Sequence, residues 1–306
     1  MAGKKKGRIA VPYIITIFIS LLIIGGAALF IYNYFELGKE DELPELMSRT
    51  SSEITYDDSH TVLLILDTPE DSSPQTFVLM RSVPVDKTLM LVGIPANTVG
   101  SVSGKQKQLS EVYESGGAME TMDFLEQIFS VDISRYMIFD SDAFIELTDI
   151  FGGVTYTLDV KVPGAGEAGV EKILNGMQIE RYITYALFPD GEMQRAFNTG
   201  AILAAMVNQS DGQRIADNFD MYFNTIIDMV ETNVTAVDYK NYSTAIKYMF
   251  EKGTAVAKYS YMTGSTVGDD FYADADFCES LKEEYFTAPE PETETDSQSA
   301  DDDTEE

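Results

Sequence analysis

The 306-residue chain holds one histidine, one cysteine and no tryptophan, and only 21 basic residues stand against 51 acidic ones. A single His60 cannot supply a His-dependent triad or a His-rich metal site. Cys278 has no partner for an internal disulfide, so the core must hold without cross-links, and a lone thiol reads as a small buried apolar group. A formal net charge of −30 excludes nucleic acid as a partner, because a polyanion is repelled. Familiar catalytic signatures are also missing. The segment GAGEAG at 164–169 follows Pro163 and has no Lys-Ser/Thr, which leaves a loop rather than a phosphate cradle. DDFYADAD at 269–276 lacks the glycine and closing glutamate of a calcium loop.

What the chain does have is length and apolar content, 44% hydrophobic, ample for a packed core. Residues 9–35 carry no charge and would reach about 40 Å as a helix, against a hydrocarbon layer of about 30 Å. Lys4, Lys5, Lys6 and Arg8 precede this run, and Glu36, Glu40, Asp41 and Glu42 follow it. Positive residues stay inside, so the expected layout is a cytoplasmic tail at 1–8, a transmembrane signal-anchor helix at 9–35, a stalk at 36–59 and an extracellular domain at 60–286. Residues 287–306 are strongly acidic with two prolines and read as a disordered tail.

Within the domain, 60–66, 76–83 and 88–94 are short apolar runs suited to strands covered on both faces, with a turn at 84–87. Helices are expected at 109–129, broken at Gly116-Gly117, and after Ser141, read as an N-cap, up to Gly152-Gly153. Strands are expected at 134–140 and 154–160, helical pattern at 178–233, and a last strand and helix at 258–264 and 270–286. Strand and helix alternating in one stretch is the mark of a layered α/β domain. No charge interrupts 196–210, so Phe197, Ile202, Leu203 and Met206 are expected to face a core or a greasy cavity.

The order of these pieces, with FIELTDIFGGVTYTLDV, LNGMQIERYITYA and GIPANT after its strand, resembles the LytR-CpsA-Psr family of bacterial cell-envelope proteins over residues 61–286. The resemblance implies an α/β/α sandwich with an apolar tunnel for a polyprenyl chain. It also implies a mouth where arginines, and a magnesium ion on acidic side chains, hold pyrophosphate while a glycopolymer moves onto peptidoglycan. Here most of the charged positions of that mouth are neutral, with Arg195 and Asp67 left of the charged set. Gln75 and Thr76 stand where the family favours Asp-Thr, Ala96 and Asn97 replace Arg-Asp, and Leu187, Pro189 and Asn198 replace three further arginines. Neutral side chains cannot imitate a guanidinium fork on phosphate.

No residue is therefore assigned as catalytic and no metal site is expected; magnesium would enter only with residual family activity. Arg195, Thr76, Thr98 and Asp67 remain as candidate ligand-binding residues. Arg195 reads either as the last anion ligand or as an ordinary surface ion pair with Asp190 or Glu192. The resemblance thus points to a membrane-anchored envelope protein of lost or weak activity that binds a polyprenyl lipid, an envelope glycopolymer or other envelope proteins. The alternatives are an active phosphotransferase that joins polyprenyl-pyrophosphate-linked glycopolymers to peptidoglycan, and an acidic adaptor that binds no lipid.

Overall fold

Side chains alternate along each central strand, and the alternation decides which layer each strand face serves. A computed structural model describes residues 53–68, 75–251 and 256–288. The expected cytoplasmic tail, the span at 9–35, most of the stalk and the acidic tail from 289 onward lie outside these described residues. Among the described residues no helix is long and apolar enough to cross a membrane. The end of the expected stalk is already packed: Tyr56–Asp58 makes a 3₁₀ turn and Asp58 is buried.

Strands β1 (His60–Leu66), β2 (Thr76–Val83) and β3 (Thr88–Ile94) pair antiparallel in sequence, with Leu66 opposite Thr76 and Phe77 opposite Ile94. A hairpin of β4 (Val99–Val102) and β5 (Lys105–Gln108) leads into α1 (Leu109–Phe129), where Gly117 at φ 67° makes the break that the sequence announces. Then come β6 (Arg135–Phe139), α2 (Ser141–Phe151) and the hairpin of β7 (Val154–Thr157) with β8 (Glu171–Leu174). Helices α3 (Gly176–Ile183), α4 (Gly191–Gln209), α5 (Gly212–Asp217) and α6 (Phe219–Ile227) fill the stretch read as helical. The chain closes with β9 (Glu231–Thr232), α7 (Ala236–Phe250), β10 (Ala257–Tyr261), the hairpin of β11 (Gly264–Val267) with β12 (Asp270–Ala273), and α8 (Ala275–Tyr285).

Among the described residues these strands build a six-stranded mixed sheet in the order β10-β3-β2-β1-β6-β9, with β6 parallel to β1 and β10 parallel to β3. Leu63, Ile65, Phe77, Leu79, Met90 and Val92 point to one face and pack with α1 and α8. Leu64, Leu66, Val78, Met80, Leu89 and Leu91 point to the other, toward α2 to α7. Helix α4 lies close on β3: a Cβ added at Gly93 would sit 1.9 Å from the Ala196 carbonyl oxygen. At the sheet edge, the Asn208 side chain exchanges two 2.8 Å hydrogen bonds with the backbone of Ala257.

Three local expectations are corrected. Asp140, not Ser141, caps α2: its carboxylate accepts the Ala143 N–H at 2.9 Å, and the Ser141 hydroxyl instead donates to Glu180. Residues 270–273 form a strand, and the last helix starts after Asp274, whose carboxylate accepts the Asp276 N–H. On α4, Ile202, Leu203 and Met206 are buried as expected. Phe197 is 37% exposed and its ring meets Tyr259 and Tyr261 edge-on.

Candidate active site

The helix-covered face of the sheet is not solid. Between it and helices α2 and α4 to α7 runs an apolar cavity of about 320 Å³. Leu64, Val78, Met80, Met137, Leu203 and Ile246 line its length. One end meets Leu66, Thr76, Ile183 and Thr199, the other His60, Arg135, Asp238 and Tyr242. Those ends match the two ends of β1, a seven-residue strand that spans about 20 Å at roughly 3.3 Å per residue. Thr76, Ile183 and Thr199 are all nearly fully buried, whereas Phe219, Phe223, Tyr239 and Tyr242 on α6 and α7 are only half-buried.

At the Thr76 end stands Arg195, on the second turn of α4. It is 2% exposed, which corrects the reading of it as a surface charge. Its Nη1 donates to the Thr76 hydroxyl at 2.7 Å and to the Ile183 carbonyl at 3.5 Å, and its Nη2 to the Gln75 carbonyl at 3.0 Å. The expected ion pair is present, with Glu192: Nε donates at 3.1 Å and Nη2 makes a second, shorter contact. The Glu192 carboxylate also accepts the Ala96 N–H at 3.2 Å. The structure thus brings together Gln75, Thr76, Ala96 and Arg195. Glu192, which completes the group, is three residues before Arg195 and so on the same helix face.

The other candidates stand apart from this knot. Thr98 is fully buried and its hydroxyl donates to the Pro95 carbonyl at 2.6 Å, closing the turn after β3 on itself. Asn97 donates to the Asp269 carbonyl at 2.8 Å. Asp67, at the end of β1, accepts the Tyr113 hydroxyl at 2.9 Å; burial, then this bond, raises the Tyr113 pKa. Leu187 is 75% exposed and Pro189 is exposed beside it. Asn198 is buried and donates to Asp159 at 3.0 Å. Asp159 was not singled out in the sequence. Burial works to raise its pKa, but the hydroxyl of Tyr182 and the side-chain amides of Asn198 and Gln194 hold it below the ordinary carboxylate value.

Among the described residues the acidic side chains near the cavity do not make a divalent-cation site. Among the described residues no three His, Cys, Asp or Glu side chains gather. Asp67, Asp159 and Glu192 are each held by a different set of protein donors. At the opposite end of the cavity, Arg135 grips Asp238 through two contacts of 2.8 and 2.6 Å, and the His60 ring lies 4.8 Å from that of Tyr242. Burial lowers the His60 pKa, which favours the neutral ring. Cys278 is buried, and burial lifts its thiol pKa to about 11, so it packs as an apolar group.

The family model for LytR_cpsA_psr matches residues 39–284. A polyisoprenyl-teichoic acid–peptidoglycan teichoic acid transferase, TagU of Bacillus licheniformis, is 23% identical over 251 residues, covering 78% of this chain and 82% of TagU. TagU of Enterococcus faecalis is 24% identical over 262 residues, covering 82% of this chain and 86% of the relative. The crystal structure of Bacillus subtilis TagV superposes with a TM-score of 0.60 at 20% identity, covering 76% of this chain and 98% of that one. The fold is common to both chains; the charges at the mouth are a separate matter.

Proposed function

Because the chain belongs to the LytR_cpsA_psr family, we propose that it is an envelope protein that houses a polyisoprenoid chain beneath its sheet and has lost most or all of its glycopolymer transfer. The carrying observation is the pairing of an open apolar cavity with a neutralised mouth. The cavity of about 320 Å³, lined by leucine, isoleucine, phenylalanine and methionine, offers a chain the burial that favours apolar ligands. A collapsed adaptor would have filled it.

The mouth supports the second half. Teichoic acid transfer, named for the TagU relatives, moves a phosphoryl group, and such reactions run on positioned positive charge. Of the charged residues considered there, only Arg195 is basic, and its donors are taken up by the protein. Anchoring through residues 9–35 belongs to this reading, as does an extracytoplasmic setting where envelope glycopolymers and envelope proteins are within reach.

Native mass spectrometry of the full chain purified in detergent tests the lipid. A co-purified polyprenyl phosphate or polyprenol is expected, and a bare chain prepared beside a lipid-loaded TagU would overturn the proposal. Transfer of glycopolymer to peptidoglycan fragments is expected to run about 10³-fold or more below TagU under matched conditions. Equal turnover would overturn the loss.

A further inference from the structure

A guanidinium has five N–H donors, and those of Arg195 all meet protein oxygens. Among the described residues, they meet the Glu192 carboxylate twice, the Gln75 carbonyl, the Thr76 hydroxyl and the Ile183 carbonyl. The Arg195 side chain is 3% exposed and that of Glu192 24%, so the carboxylate is the more solvent-accessible member of the pair. One of its oxygens touches both Arg195 and the Ala96 amide. A buried guanidinium and a backbone N–H aimed at one oxygen are the donors that a phosphate oxygen seeks.

We infer that Glu192 is a tethered stand-in for an anionic headgroup: it fills the anion site at the Thr76 end, and a phosphate can bind Arg195 only by displacing it. The inference rests on the reading of the cavity as a polyisoprenoid site. The competitor is covalently attached and always present, so it reduces the apparent affinity for anionic chains by the fraction of time the site is closed. A neutral chain needs none of these donors and escapes the competition. The device therefore biases the cavity from polyprenyl phosphates toward uncharged isoprenoids.

Glu192→Gln keeps the side-chain shape and removes the charge. Farnesyl phosphate and farnesol, titrated calorimetrically into the full chain in one detergent, separate the two parts of the argument. Farnesyl phosphate is expected to bind Glu192→Gln at least about tenfold tighter than the wild type, with farnesol binding both alike. Farnesol binding to both with no gain for the phosphate overturns the inference and leaves the cavity reading intact. An equal gain for both ligands also overturns it, since the change would then act on the cavity. Farnesol binding to neither overturns the cavity reading itself. If Glu192→Gln does not fold, Glu192→Asp, one methylene shorter and unable to span Arg195 and Ala96, serves with the same expected gain.

Discussion

Removing the Arg195 side chain leaves the Glu192 carboxylate beside the Ala96 amide without its cation and takes a donor from the Gln75 and Ile183 carbonyls. Breaking a buried ion pair from one side costs about 3 kcal/mol or more, and the partial exposure of Glu192 places this case at the lower end. Arg195→Ala is therefore expected to lower the urea unfolding free energy by about 2–3 kcal/mol, where a surface pair would change it by less than about 1 kcal/mol. An unchanged urea midpoint would show that the pair is not a buried brace. Arg195 was legible in the sequence as the last basic residue of the mouth. Its burial was not, because burial depends on Gln75, Thr76 and Ile183, which reach it only through the fold. Glu192 was legible only as a neighbour in sequence; its contact with Ala96 spans 96 residues.

Strands β1 to β3 announced themselves because they are covered on both faces, so nearly every position is apolar. Helix α7 did not, since its sequence AVDYKNYSTAIKYMF mixes polar and aromatic residues and few of its positions are buried. Residues 270–273 depart from the expected helix because Gly268-Asp269 is a two-residue hairpin turn with Gly268 at φ 66°, a signal masked in the sequence by the exposed, weakly apolar partner strand β11. What fixes α7 is its first turn. Thr235 and Asp238 form a reciprocal capping box, and Asp238 also takes the Arg135 fork from β6. The Arg135 hydrogen bonds chiefly hold the Asp238 pKa at about 2, below its ordinary 3.8. A depressed carboxylate pKa gives stability that is present above the unfolded value and lost as pH falls through the folded one. The wild type is thus expected to lose more stability than Asp238→Asn between about pH 4 and pH 2, read from urea midpoints at each pH. Parallel curves would remove Asp238 from the acid response.

Among the described residues the sheet has unlike faces, one covered by α1 and α8 over a buried apolar cluster and the other roofed over the cavity. Met80 lines that cavity, so Met80→Trp takes up cavity volume and should cost less than about 1 kcal/mol while abolishing farnesol binding. Farnesol binding at wild-type strength would mean that the chain lies elsewhere. The substitution also gives the chain its sole tryptophan, a fluorescent reporter inside the hollow half. That asymmetry makes the protein mechanically uneven. Unfolding eliminates internal cavity volume, so the unfolded chain occupies less volume and hydrostatic pressure drives the transition. The hollow half should yield first under compression. A bound chain supplies the missing volume and stabilises the folded state by mass action, so saturating farnesol should raise the midpoint pressure of wild-type tyrosine fluorescence. The occupant would then work as a filler that makes a compressible scaffold stiff.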